Sequence, residues 1–110
     1  MKRGEIWTVS RGSGYTGKPR PAVVVQDDHF SGTGSVTLCP FTTDASNAPL
    51  LRLVVNPTAT NGLRASCRLM LDKLTTVPKT RLGYRVGALD QSDVQRLNRG
   101  MVVFLGLAGG

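Results

Sequence analysis

The chain has 110 residues, with 14 Lys and Arg against 7 Asp and Glu, a net charge of 14 − 7 = +7. That length gives a single domain over residues 1–110, long enough to bury one core without disulfide or metal staples. Apolar residues make up 40%, and the 13 Gly and 6 Pro are spread along the chain, which excludes wholesale disorder and collagen-like repeats, while no apolar run approaches the ~18 residues of a membrane span.

Residues 5–9 alternate and include β-branched positions, so they read as a strand. Residues 10–19 hold three glycines and Pro19 and read as a loop. Residues 21–26 are a short apolar run, hence a buried strand, and residues 27–34 form a polar loop with the single histidine, His29. Residues 35–39 read as a strand that should stop at Pro40, which cannot donate to a ladder. Strands follow at residues 50–55 and 66–71, the second expected to continue through 73–77, with a further strand at 83–87. Asp90 then caps a helix whose Val94, Leu97, Met101, Phe104 and Leu105 share one face. Gly100 should weaken that helix by about 1 kcal/mol relative to Ala, and Gly106 should end it. Short strands with frequent turns and one C-terminal helix predict a mainly β fold, a small barrel or sandwich.

The basic residues are ten Arg and four Lys, dispersed with no run of five. The planar Arg fork suits phosphate, so nucleic acid is the leading partner class and an acidic protein another. The N-terminus, MKRGEIW, carries no apolar signal segment, so the cytoplasm is expected, with Cys39 and Cys67 as thiols. The phosphate-cradling, dinucleotide-binding and HExxH motifs are missing, the cysteines are too far apart for CxxC, and one histidine cannot complete a common zinc set. No cofactor or metal is expected.

Chemistry must then come from Arg, Lys, Asp, Thr and backbone groups. RNA cleavage suits that inventory, because RNA carries its own nucleophile, the 2′-hydroxyl, and arginines stabilise charge on the phosphate. Arg20 sits between Pro19 and Pro21, where a Gly-rich loop enters a strand. Thr42 and Thr43 follow a strand exit, and Asp72 with Lys73 follows an apolar strand. Each has a plainer reading: a solvated edge Arg, turn-forming threonines, and a surface pair of little energy.

Arg3-Gly-Glu-Ile-Trp7, Arg20-Pro-Ala-Val-Val-Val-Gln26, Cys39-Pro-Phe-Thr-Thr43, Leu71-Asp-Lys-Leu-Thr-Thr-Val77, Arg81-Leu-Gly83 and Phe104-Leu-Gly-Leu107 occur in that order. Together they resemble the MazF/PemK/Kid toxins of bacterial toxin–antitoxin systems over nearly the whole chain. The resemblance implies the SH3-like barrel shared with the CcdB gyrase poisons, with a C-terminal helix. It also implies a homodimeric, ribosome-independent and metal-independent endoribonuclease. Such enzymes cut single-stranded RNA to 2′,3′-cyclic or 3′-phosphate and 5′-hydroxyl ends, and an acidic antitoxin neutralises them. By motif, Arg20, Thr42 and Asp72 carry over as the catalytic positions. Tyr15, Lys18, Thr43, Arg68, Lys73, Thr75 and Arg85 are the expected RNA contacts. Many relatives have Asp-Gln-Ile-Arg-Thr where this chain has Asp72-Lys-Leu-Thr-Thr76, and an acid in the loop before Arg20 where this chain has none. Those departures fall where bases would be read. A gyrase-poisoning toxin and an RNA-binding barrel that does not cut are the rival readings. The first calls for a Trp-Gly-Ile-type tail, whereas this chain ends Gly106-Leu-Ala-Gly-Gly110.

Overall fold

Seven short strands precede one helix in the computed structural model, which describes residues 1–10, 18–45, 50–107 and 109. The strands are β1 (Glu5–Val9), β2 (Arg20–Val24), β3 (Ser35–Thr42), β4 (Arg52–Val55), β5 (Cys67–Met70), β6 (Thr75–Pro78) and β7 (Leu82–Ala88), and the helix is α1 (Gln91–Phe104). They pair antiparallel in the order β4-β5-β3-β2-β1-β7, with β6 joined to β3. Among the described residues no ladder links β4 to β7, so the small barrel expected from the sequence is an open one. The consecutive strands β6 and β7 join different strands: β6 pairs with β3, and β7 pairs with β1.

β3 organises the sheet. Its first half, from Ser35 to Leu38, pairs with β6, and its end, Phe41 and Thr42, pairs with β5. Pro40 stands between those two stretches, opposite Ala22 of β2. Its missing N–H therefore falls where neither β6 nor β5 asks for one, and the strand runs through the proline rather than stopping there. Residues 73–77 likewise do not continue β5. A 3-10 turn, Leu71–Lys73, redirects the chain, so that β6 reaches the other end of β3.

The apolar run of β2 is buried on both faces. Val23 and Val25 join Ile6, Phe41, Leu69 and Leu97 in one cluster, while Ala22 and Val24 join Val36, Leu38 and Val77 in a second. A run without polar alternation is what such two-sided burial requires. α1 covers the first cluster. Leu97 is buried, and Val94 and Met101 pack against it, but Phe104 and Leu105 face outward, so the expected stripe holds only for its first half. Asp90 flanks the helix as predicted, yet its carboxylate makes no capping bond; it accepts the Thr58 hydroxyl at 2.6 Å instead. At the other end, Gly106 N–H donates to Val103 O and Leu107 N–H to Val102 O, the paired closure of a Schellman turn. Gly100 earns its place by close approach: a Cβ there would lie 2.5 Å from Leu71 Cδ1.

Candidate active site

The ladder registers bring three of the predicted residues, Arg20, Thr42 and Arg68, together. Arg20 opens β2 opposite Val9, and the β2–β3 register ends at Ala22 opposite Pro40. Continued by two residues, that antiparallel register sets Arg20 level with Thr42. Thr42 pairs with Arg68, and Arg68 with Val54. Residues level across a sheet share a face, so Arg20, Thr42 and Arg68 form one row across three strands.

Two clefts flank this row. The larger, about 210 Å³, has Arg20, Thr75 and Arg81 among its lining, over a floor that includes Leu38, Pro40 and Met70. Arg81 is anchored by its Nε donating to Ser10 O at 2.9 Å, and its terminal nitrogens have no partner among the described residues. The Arg20 guanidinium has no hydrogen bond or ion pair among the described residues. The second cleft, about 170 Å³, is lined by Thr42, Thr43 and Arg68. The Thr42 hydroxyl oxygen accepts the Asp44 N–H at 3.1 Å, so the hydroxyl proton remains free to donate. Arg68 donates weakly to Asp44 O at 3.4 Å.

Asp72 lies on the turn after β5 and is ion-paired with Arg52 of β4. The Arg52 hydrogen bond holds the Asp72 carboxyl below its ordinary value of 3.8, so near neutrality it is a carboxylate and an acceptor. Lys73 beside it is exposed. Lys18 is exposed two residues before β2. Arg85, by contrast, lines neither cleft. It donates to Glu5 at 2.9 Å, and Glu5 also accepts the Lys2 N–H at 2.7 Å and the Trp7 indole N–H at 3.2 Å. Burial pushes the Glu5 carboxyl up, but those three donors pull it down further, and the net shift is downward. Tyr15 lies outside the described residues. His29 sits in an exposed 3-10 turn and lines neither cleft. Burial pushes the Cys39 thiol up to about 12, which makes it an inert neutral group.

Sequence reasoning did not single out Arg52 or Arg81 as site residues. Arg81 stood in a recognised motif, a usable signal. Arg52 had none, because its link to Asp72 depends on the β4–β5 pairing. No three His, Cys, Asp or Glu side chains gather into a group among the described residues, and no helix among them is long and apolar enough to cross a membrane.

The family described as PemK-like, MazF-like toxin of type II toxin–antitoxin system matches residues 2–105. The chain belongs to that family. This MazF-like toxin is 50% identical over 109 residues to a probable endoribonuclease MazF of Mycolicibacterium smegmatis, covering 99% of this chain and all of the relative. An endoribonuclease structure from a mycobacterial species superposes with TM-score 0.77 at 19% identity, covering 100% of this chain and 95% of that one. A mycobacterial endoribonuclease solved with its cognate antitoxin superposes with TM-score 0.74 at 20% identity, covering 96% and 93%. At those identities the two structures establish that the MazF-like toxin shares their fold.

Proposed function

We propose that this toxin is a ribosome-independent, metal-independent endoribonuclease that cuts single-stranded RNA at short sequences and is neutralised by an acidic antitoxin. The observation that carries the reading is the unpartnered Arg20 guanidinium at the rim of a cleft, level with the free Thr42 hydroxyl. The 50% identity to a probable endoribonuclease supports it, as does a structural relative bound to its antitoxin.

In this mechanism the RNA 2′-hydroxyl gives its proton to solvent water as its oxygen bonds to the adjacent phosphorus, and the P–O5′ bond breaks as the 5′-oxygen takes up a proton from water. The products are a 2′,3′-cyclic phosphate, opening to a 3′-phosphate, and a 5′-hydroxyl. Arg20 and Arg81 offset the charge that grows on the phosphate oxygens, and Thr42 donates its hydroxyl proton as a hydrogen bond to one of them. Asp72, fixed by Arg52, accepts from RNA donors. Thr43, Arg68, Lys73, Thr75 and Lys18 carry the strand past the clefts. Positioning by such contacts supplies several kcal/mol of rate acceleration. Two copies associate through the apolar end of α1, where Val103, Phe104, Leu105 and Leu107 are exposed, and the toxin acts in the cytoplasm.

The test uses purified toxin, mixed-sequence RNA and excess EDTA. Discrete cuts whose 5′ ends accept phosphate from a kinase without prior phosphatase are expected. Arg20→Ala should fold normally and lose cutting by a factor of about 10² or more, the scale of a lost charge-stabilising donor. Undiminished cutting by folded Arg20→Ala would remove the central assignment.

A further inference from the structure

A third cleft, about 310 Å³, opens beside Arg20 and is untouched by the assignments above. Pro19, Pro21, Leu63, Arg64, Tyr84 and Val86 contribute to its lining. Pro19 and Pro21 are the immediate neighbours of Arg20, and consecutive Cα atoms stand 3.8 Å apart. Pro21 also lines the first cleft and Cys67 the second, so the third cleft adjoins both clefts of the proposed reaction centre.

Its walls are fixed by specific devices. In the β1–β7 ladder, Trp7 opposes Arg85 and Val9 opposes Leu82, so Gly83 and Tyr84 together face the single residue Thr8. That is a β-bulge, a feature that re-aims a side chain. The Tyr84 N–H displaced from the ladder is taken up by the buried Thr8 hydroxyl at 3.0 Å. Across the cleft, Asn61 is fully buried, and its Oδ1 accepts both Thr58 N–H and Leu63 N–H at 2.9 Å. Gly62 follows at φ +69°, where a Cβ would collide with Val86 O. The turn that presents Arg64 is thus held against β7.

The two groups presented have no structural employment. Tyr84 is 66% exposed, a large aromatic face left in water. Neither the Tyr84 hydroxyl nor the Arg64 guanidinium has a partner among the described residues. An exposed ring beside an unpaired guanidinium, over an apolar floor, is the chemistry that binds a stacked nucleobase and its phosphate.

We infer that this cleft is a nucleobase subsite, in which Tyr84 stacks on a base flanking the scissile phosphate and Arg64 holds that nucleotide's phosphate. The inference rests on the RNA-cleaving reading. It is tested in the Arg20→Ala background, so that labelled mixed-sequence single-stranded RNA is bound without being cut. Adding Tyr84→Ala should weaken binding roughly tenfold, and adding Arg64→Gln severalfold, while Tyr84→Phe keeps the ring and the affinity. In cutting toxin, Tyr84→Ala should raise KM and relax the base preference at one mapped position. The far-ultraviolet spectrum and Tm report folding. A wild-type protein that cuts no RNA removes the parent reading. A cutting wild type whose Tyr84→Ala and Arg64→Gln variants keep binding and preference removes the subsite alone. Unchanged RNA binding with weakened binding of poly-L-glutamate also overturns it, and gives the cleft to an acidic protein.

Discussion

At the scale of single residues, the acids select which arginines are fixed. Glu5, Asp72 and Asp93 each hold one, in the pairs with Arg85, Arg52 and Arg96. Among the described residues, Arg20 and Arg64 are left unpaired beside clefts. The Asp72–Arg52 pair has a pH signature. Because the folded-state pKa of Asp72 is lowered below the ordinary 3.8, its contribution to stability is fully present above that value and is lost as pH falls through the folded-state pKa. Asp72→Asn should therefore lower Tm at neutral pH and flatten the acid limb of a plot of Tm against pH; an acid limb identical to wild type would refute the pairing. Cys39 gives a second test. With its thiol pushed up to about 12 and its side chain buried, it should resist iodoacetamide in the native protein at pH 8 and react once denatured, as mapped by mass spectrometry. Rapid native labelling at Cys39 would contradict the burial.

At the scale of elements, Gly100 sets a propensity gain against a steric cost. Gly100→Ala should gain about 1 kcal/mol of helix propensity. The new methyl, however, meets Leu71, which is fully buried, and overpacking typically costs about 1–3 kcal/mol. The net expectation is a loss of about 1 kcal/mol in urea unfolding, whereas propensity alone predicts a gain. Leu71 and Gly100 also show where sequence reading stops. β1 was legible to the residue, because alternation is local. The extent of β3 was not, since Pro40 is harmless only when the strand changes partners on either side of it. β6 was read as part of β5 because the turn at 71–73 has no glycine or proline to announce it. Among the candidate site residues, Arg20 and Thr42 are visible from their flanking prolines and strand end. That Arg85 would be claimed by Glu5, and Asp72 by Arg52, depends on registers between strands far apart in the chain.

For the whole molecule, the net charge of +7 makes binding of RNA an ion-exchange process. Each phosphate neutralised on a single strand contributes about −0.7 to the slope of log affinity against log salt. With Lys18, Arg20, Arg64, Arg68, Lys73 and Arg81 engaged, a slope of about −4 is expected for the Arg20-containing protein under non-cutting conditions, with an uncleavable 2′-deoxy strand as probe. A slope near zero would separate the charge from the function. The shared strand has a further consequence, in hydrogen exchange. Because β3 pairs with β2 along one edge and with β6 and then β5 along the other, the strand cannot leave the sheet without breaking all three ladders. The amides of Leu38, Cys39 and Phe41 should then exchange only by global opening, and set the upper limit of protection for the entire chain.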